Sequence, residues 1–159
     1  MRSRPAELAS RGGQAYPPCM ISPIDAELEA LAEAFELLGD WEERYRYVIE
    51  LGRALPPLSA AEHTDSNKVR GCASQVWLVN DGAPGGAMIF RGDYDAHIVR
   101  GLIAILLRLF SGRSAQDILA FDAAGAFKTL GLTGALTQQR SNGLAAMVQR
   151  VRRDAEGQV

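Results

Sequence analysis

Two short β-forming segments near the middle of the chain constrain its fold most strongly. Residues 74–79 (Ser-Gln-Val-Trp-Leu-Val) and 87–91 (Ala-Met-Ile-Phe-Arg) are rich in side chains that favour strands. The connection between them, residues 80–86, contains three glycines and one proline, which is typical of a hairpin turn. The sequence therefore predicts one antiparallel hairpin in an otherwise helical chain, an α+β fold in a single domain.

Upstream of the hairpin, capping residues and apolar spacing predict two helices. The first begins near Ser22, where a hydroxyl, a proline and Asp25 precede apolar residues at helical spacing. The second begins at Asp40, with Glu43 three residues later, and stops near Gly52 ahead of two prolines. Each of these helices is expected to bury one apolar face.

Downstream, the same signals predict three more helices. They cover about residues 95–110, a segment that begins at Ser114, and residues 141–155. Asp93 or Asp95 is predicted to cap the first of them, because a short carboxylate before a helix accepts from its free backbone N–H groups. The predicted architecture is a small antiparallel sheet flanked by helices.

Length and charge exclude several classes of protein. The 159 residues fit one domain, and 17 basic against 19 acidic side chains give a formal net charge of −2. The chain therefore lacks the basic field of a nucleic-acid-binding protein. The apolar run at residues 103–107 is far shorter than the roughly 20 residues of a membrane span. We expect a cytoplasmic protein with neither nucleic acid nor membrane as a partner.

The first residues differ in character from the rest of the chain. They carry arginines, a glycine pair and a proline pair, and they lack the apolar stretch of a secretory signal. We predict a disordered extension over residues 1–21, a folded domain over 22–155 and a tail over 156–159. Cys19 lies in the extension and is interpreted as an incidental thiol.

Cys72 is the one nucleophile whose position suggests chemistry. It lies between a polar loop and the first predicted strand, and residues 66–79 contain two cations, Lys68 and Arg70, and no acidic side chain. Nearby cations favour the thiolate, the reactive form of cysteine. Gly71 gives the loop freedom to move and lets another backbone approach closely.

Local features alone leave an inert interpretation of Cys72 open, because free cysteine is usually a buried apolar side chain. No metal is expected, since two cysteines and two histidines, His63 and His97, lack the paired spacing of a structural zinc site. His63 lies nine residues before Cys72, and whether the two approach each other is also open.

The residues around Cys72 resemble the signature of a known family. Residues 66–78 (Ser-Asn-Lys-Val-Arg-Gly-Cys-Ala-Ser-Gln-Val-Trp-Leu) resemble the cysteine loop and strand of the SufE family, the sulfur-acceptor proteins of iron–sulfur cluster assembly. Further segments are similar to the family in the same order: 40–45, 49–52, 55–56, 92–93, 95–96, 98–102, 136–137, 140–141 and 143–144. The resemblance covers roughly residues 22–155 and implies a SufE/IscU-like fold.

The resemblance implies a persulfide relay centred on Cys72. A cysteine desulfurase of the SufS type would supply sulfur, the chain would enhance its activity, and a scaffold complex of the SufBCD type would receive the sulfur. Pyridoxal phosphate would belong to the desulfurase, so no cofactor is expected here. Asp95 and Arg140 match family positions and are interpreted as contacts to the cysteine loop or to the partner. A homodimer is a further open alternative.

Other functions compete with the relay. A thiol transferase or hydrolase would pair Cys72 with His63 and a third orienting group. A scaffold that binds an iron–sulfur cluster directly would need about four thiolates. A non-catalytic adaptor of the desulfurase would not need Cys72 at all.

Overall fold

The computed structural model describes residues 23–71, 75–94 and 97–158, with the side chains of 97–99 excepted. The predicted extension over 1–21 lies outside these ranges, as do Cys72 and Asp95. The helices and strands within them are α1 (Pro23–Leu37), α2 (Trp41–Arg53), β1 (Val76–Asn80), β2 (Phe90–Tyr94), α3 (His97–Phe110), α4 (Ala115–Ala120), α5 (Ala123–Thr129), α6 (Leu132–Ala135) and α7 (Gln138–Glu156). Short 3-10 turns at Ala60–Glu62 and Pro84–Gly86 complete them. The α+β architecture in one domain is confirmed.

The sheet has two strands in the described part of the chain. Strands β1 and β2 are antiparallel, with Val76 opposite Tyr94 and Asn80 opposite Phe90. The predicted hairpin is therefore correct, but its second strand begins three residues later than the predicted 87–91. The Met88 N–H donates to the Arg113 carbonyl oxygen at 2.8 Å instead of joining the sheet. The apolar side chain of Met88 is buried although this residue does not pair with β1. The sequence pattern of such a residue is the same as that of a buried strand residue.

Helix α3 lies at the centre of the core, and α2 crosses it closely. Six apolar side chains of α3 are at most 1% exposed: Leu102, Ile103, Ile105, Leu106, Leu109 and Phe110. At the crossing, a Cβ built on Gly101 would lie 2.1 Å from the Val48 carbonyl oxygen, and one on Gly52 would lie 2.6 Å from the Gly101 nitrogen. The two helix backbones therefore touch, and only glycine fits at these positions.

Two of the predicted helix caps are confirmed. The Asp40 carboxylate accepts from the Glu43 N–H at 3.0 Å, and the Ser114 hydroxyl accepts from the Asp117 N–H at 3.1 Å. Of the two residues predicted as alternative caps of α3, Asp93 lies in β2 with its side chain buried and is not the cap, and Asp95 lies outside the described residues.

The last helix begins earlier than predicted. Helix α7 starts at Gln138 instead of residue 141, and the Thr137 hydroxyl caps it by accepting from the Arg140 N–H at 3.3 Å. The short helices α5 and α6 were not predicted. In the described ranges, no helix combines the length and the apolar character needed to cross a bilayer.

Candidate functional site

The chain leading to Cys72 pairs with the free edge of β1 through a single antiparallel bridge, between Lys68 and Trp77. We call residues 66–71 the stem. The Val69 N–H donates to the Val76 carbonyl oxygen at 2.8 Å, and the Leu78 N–H donates to the Asn67 carbonyl oxygen at 2.8 Å. The Val69 side chain is 2% exposed, so the stem is also fixed to the core. Cys72 itself follows the stem and lies outside the described residues, so its predicted reactivity stays a prediction.

Gly71, the last residue of the stem, has φ +89°, in the left-handed region that favours glycine. Among the described residues, a Cβ there would meet only the Cβ of Ala146 on α7, at an ordinary 3.5 Å, so they leave space for it. The chain therefore needs glycine immediately before Cys72 because of the backbone turn.

The two cations of the stem are available for electrostatic interactions. Arg70 is exposed and Lys68 is partly exposed. Neither forms an ion pair with any residue in the described ranges. Their predicted effect on the Cys72 thiol stays a prediction.

Helix α7 supports the stem from the side away from β1. Arg150 Nη2 donates to the Ser66 carbonyl oxygen at 2.9 Å, and its Nη1 lies 3.5 Å from the Lys68 carbonyl oxygen. Asp154, one turn further on, accepts from Arg150 Nε at 3.3 Å. Sequence analysis missed this contact, because an arginine near a helix end is expected to interact with the helix dipole.

Asp93 lies in β2, which pairs with β1 on the edge opposite to the stem, and it is directly opposite Trp77 in the strand register. Its carboxylate accepts from the Tyr94 N–H at 2.8 Å, from the Leu58 N–H at 3.3 Å and from Arg100 Nη2 at 2.6 Å. Burial by itself raises the pKa of Asp93, but these hydrogen bonds outweigh it and the net pKa is lowered. Asp93 is therefore held as a carboxylate that joins the segment before the stem to α3.

His63 is held next to this network. Its Nδ1 lies 2.7 Å from the Ser59 carbonyl oxygen and its Nε2 lies 3.4 Å from Asp93 Oδ2. The ring packs edge-on against Trp77, with 4.5 Å between the centroids. Both ring nitrogens therefore face oxygen atoms of the protein, those of Ser59 and Asp93.

The remaining predicted site residues are not brought together in the described part of the chain. Arg140 is exposed in the first turn of α7. Its side chain forms no ion pair with the described residues. Asp95, like Cys19, lies outside the described ranges.

Two apolar cavities lie in other parts of the molecule. One of about 270 Å³ is lined by α5, α6 and α7, and one of about 360 Å³ by α2, β2 and α3. His63 lines neither of them. Neither of these two cavities is therefore a substrate pocket around His63.

Comparison with known proteins agrees with this geometry. The model of the SufE family, described as an Fe-S metabolism associated domain, matches residues 29–155. An uncharacterised SufE-like protein of Rhizobium etli is 54% identical over 82% of this chain and 90% of its own length. Another from Rhizobium meliloti is 48% identical over 83% of this chain and 96% of its own length.

A solved structure shows the same fold. The solution structure of a hypothetical protein from Thermus thermophilus superposes with a TM-score of 0.69 at 22% identity, covering 87% of this chain and 97% of that one.

The family match supports a role in iron–sulfur assembly together with a desulfurase. On these grounds, the chain belongs to the SufE family.

Proposed function

We propose that the chain accepts persulfide sulfur on Cys72 from a pyridoxal-phosphate cysteine desulfurase of the SufS type, in the cytoplasm. It then delivers the sulfur to an iron–sulfur scaffold complex of the SufBCD type. The domain over 22–155 performs both steps, with 1–21 and 156–159 as peripheral segments. The observation that carries the proposal is the stem, which the sheet and α7 both hold immediately before the only cysteine of that domain.

The transfer is a thiol–disulfide type of exchange that needs no oxidant. The Cys72 thiolate attacks the terminal sulfur of the donor persulfide, and a new S–S bond forms to that atom. The donor's S–S bond breaks, and its cysteine leaves as a thiolate with the bonding electron pair. Cys72 then carries the persulfide, and the same exchange in the next complex releases the sulfur.

Three stem residues support this step in different ways. Lys68 and Arg70 place positive charge beside the thiol, which favours the thiolate before attack and the donor thiolate after it. Gly71 supplies the turn at φ +89° through which the chain enters the cysteine position.

Asp95 and Arg140 are proposed as contacts to the loop or to the desulfurase, and exposed Arg140 is accessible to a partner.

The geometry of His63 argues against a thiol hydrolase or transferase of the Cys–His type. Asp93 could serve as the third orienting group, but Ser59 occupies the ring nitrogen that would have to face the thiol. Direct cluster binding is also disfavoured, because the whole chain has two cysteines where about four thiolates are usual.

Desulfurase stimulation separates a carrier from an adaptor. Alanine production by a SufS-type desulfurase is measured with the full chain, with Cys72→Ser and with Cys19→Ser. A carrier stimulates turnover only while Cys72 is present, so we expect stimulation to be lost in Cys72→Ser and retained in Cys19→Ser. Full stimulation by Cys72→Ser would overturn the carrier function and establish the adaptor.

A further inference from the structure

Arg150 makes a contact that its position on a helix surface does not require. The side chains of Arg150 and Asp154 are only 17% and 19% exposed. The guanidinium is directed across the helix to carbonyl oxygens 84 and 82 residues earlier in the chain, those of Ser66 and Lys68. The Asp154 carboxylate accepts a hydrogen bond from Arg150 Nε, so a second side chain fixes the orientation of the guanidinium.

The two carbonyls lie on the edge of the stem that the sheet leaves unpaired. Asn67 and Val69 use their backbone groups to pair with β1. Lys68 forms an antiparallel bridge with Trp77 between these two hydrogen bonds, so its own carbonyl is directed to the other edge, and Ser66 lies in the turn just before it. Arg150 donates there, in the place that a further strand would occupy.

We propose that Arg150 is a positioning residue for sulfur transfer, acting by fixing the stem from its outer edge. This inference rests on the proposed function. A persulfide exchange requires the two reacting sulfurs at about 3–3.5 Å in line, so the segment that carries the thiol must enter the complex in one pose. β1 holds one edge of the stem and Arg150 holds the other, and together they fix that entry.

Loss of the Arg150 guanidinium is expected to slow the transfer of sulfur and to leave binding of the desulfurase unchanged. Arg150 is mostly buried and offers little surface to a partner. In Arg150→Gln we therefore expect the rate of persulfide formation at saturating chain to fall about tenfold, with the half-saturating concentration unchanged. Rates are measured by quenching the desulfurase reaction and following sulfur on the chain by intact mass.

Two control variants separate positioning from charge. Arg153→Gln removes the same charge from an exposed position three residues away on α7, and we expect a rate within twofold of the unmodified chain. Arg150→Lys keeps the charge but lacks the fork that reaches two carbonyls and a carboxylate, so we expect it to remain close to Arg150→Gln. Full rescue by lysine would show that charge matters and would overturn the positioning role.

Amide hydrogen exchange tests, without any desulfurase, whether Arg150 stabilises the stem. The Val69 and Leu78 N–H groups close the pairing between stem and β1, so both should exchange severalfold faster in Arg150→Gln and not in Arg153→Gln. Unchanged exchange, or an unchanged transfer rate in a chain that accepts sulfur, would defeat this inference alone. An unmodified chain that gains no sulfur would instead defeat the proposed function, and the positioning role would fall with it.

Discussion

Two glycines in this chain are required for opposite reasons. At Gly101, in the crossing of α2 and α3, an added Cβ would lie 2.1 Å from the Val48 carbonyl oxygen, so the constraint is space. At Gly71 an added Cβ would find an ordinary contact at 3.5 Å, and the constraint is the backbone angle, φ +89°. The helix crossing is thus determined by shape, and the end of the stem by conformation.

The difference shows how the molecule divides its tasks. The helix crossing consists of packed backbone and apolar side chains, which tolerate almost no change in volume. The stem depends on a few directional hydrogen bonds, from β1 on one side and Arg150 on the other. Because so few bonds hold the stem, the loss of one side chain such as Arg150 is expected to change its local stability more than the stability of the whole fold.

The largest effect is expected at the helix crossing. Gly101→Ala forces α2 and α3 apart, and we expect the free energy of unfolding to fall by about 3 kcal/mol or more. Urea unfolding followed by circular dichroism measures it. The control is Gly134→Ala in α6, where a Cβ meets nothing within 4 Å and no loss is expected. Equal stability of the two variants would contradict the backbone contact.

The next effect tests whether directional bonds also matter inside the scaffold. Asp93→Asn leaves Arg100 without its carboxylate, and we expect a loss of about 2–3 kcal/mol in the free energy of unfolding at pH 7. The lowered pKa of Asp93 means that this contribution is present above its unfolded pKa and is lost as the pH falls through the folded value.

Asp81→Asn is the matched control for Asp93→Asn, because it removes an exposed carboxylate that pairs with Arg91. A far smaller loss is expected, since exposed ion pairs contribute little. If Asp93→Asn were as mild as this control, the buried network would not support the scaffold.

The conformational constraint at the stem is tested by Gly71→Val. A β-branched residue at positive φ costs about 1–2 kcal/mol, and we expect sulfur acceptance to fall by a larger factor than stability does. Gly82→Val is the control, because Gly82 has φ +92° with nothing within 4 Å of its Cβ position, in the turn between the strands. It should lose similar stability with unchanged transfer. Unchanged transfer in Gly71→Val would remove the role of this turn.

The smallest effect concerns a surface carboxylate near the stem. Hydrogen bonding to Arg91, with further help from Ser59, lowers the pKa of Glu62 to about 2. Its contribution to stability is therefore present above the ordinary value of 4.5 and is lost as the pH falls from there towards 2. The free energy of unfolding should therefore fall less steeply between pH 5 and pH 2 in Glu62→Gln than in the unmodified chain. An identical slope would show that this pairing adds no stability.

Local signals in the sequence predicted much of the scaffold. The caps at Asp40 and Ser114 and the hairpin are encoded by short patterns in which neighbouring residues satisfy one another. The shift of β2 and the burial of Asp93 were not predictable, because both depend on partners that are distant in sequence, Arg113 and Leu58 among them.

The candidate site divides along the same line. The motif around Cys72 identified the family and the proposed nucleophile from sequence. The support of the stem by Arg150 joins residues more than 80 positions apart, and nothing local distinguishes this arginine from its exposed neighbour Arg153. A long-range hydrogen bond of this kind becomes visible only in three dimensions.

The most direct test of sulfur acceptance is the mass of the intact chain. After incubation with a SufS-type desulfurase and cysteine under non-reducing conditions, we expect a gain of one sulfur atom that maps to the peptide containing Cys72 and is absent in Cys72→Ser. Sulfur on Cys19 instead, or an unchanged mass while the desulfurase turns over, would contradict the account.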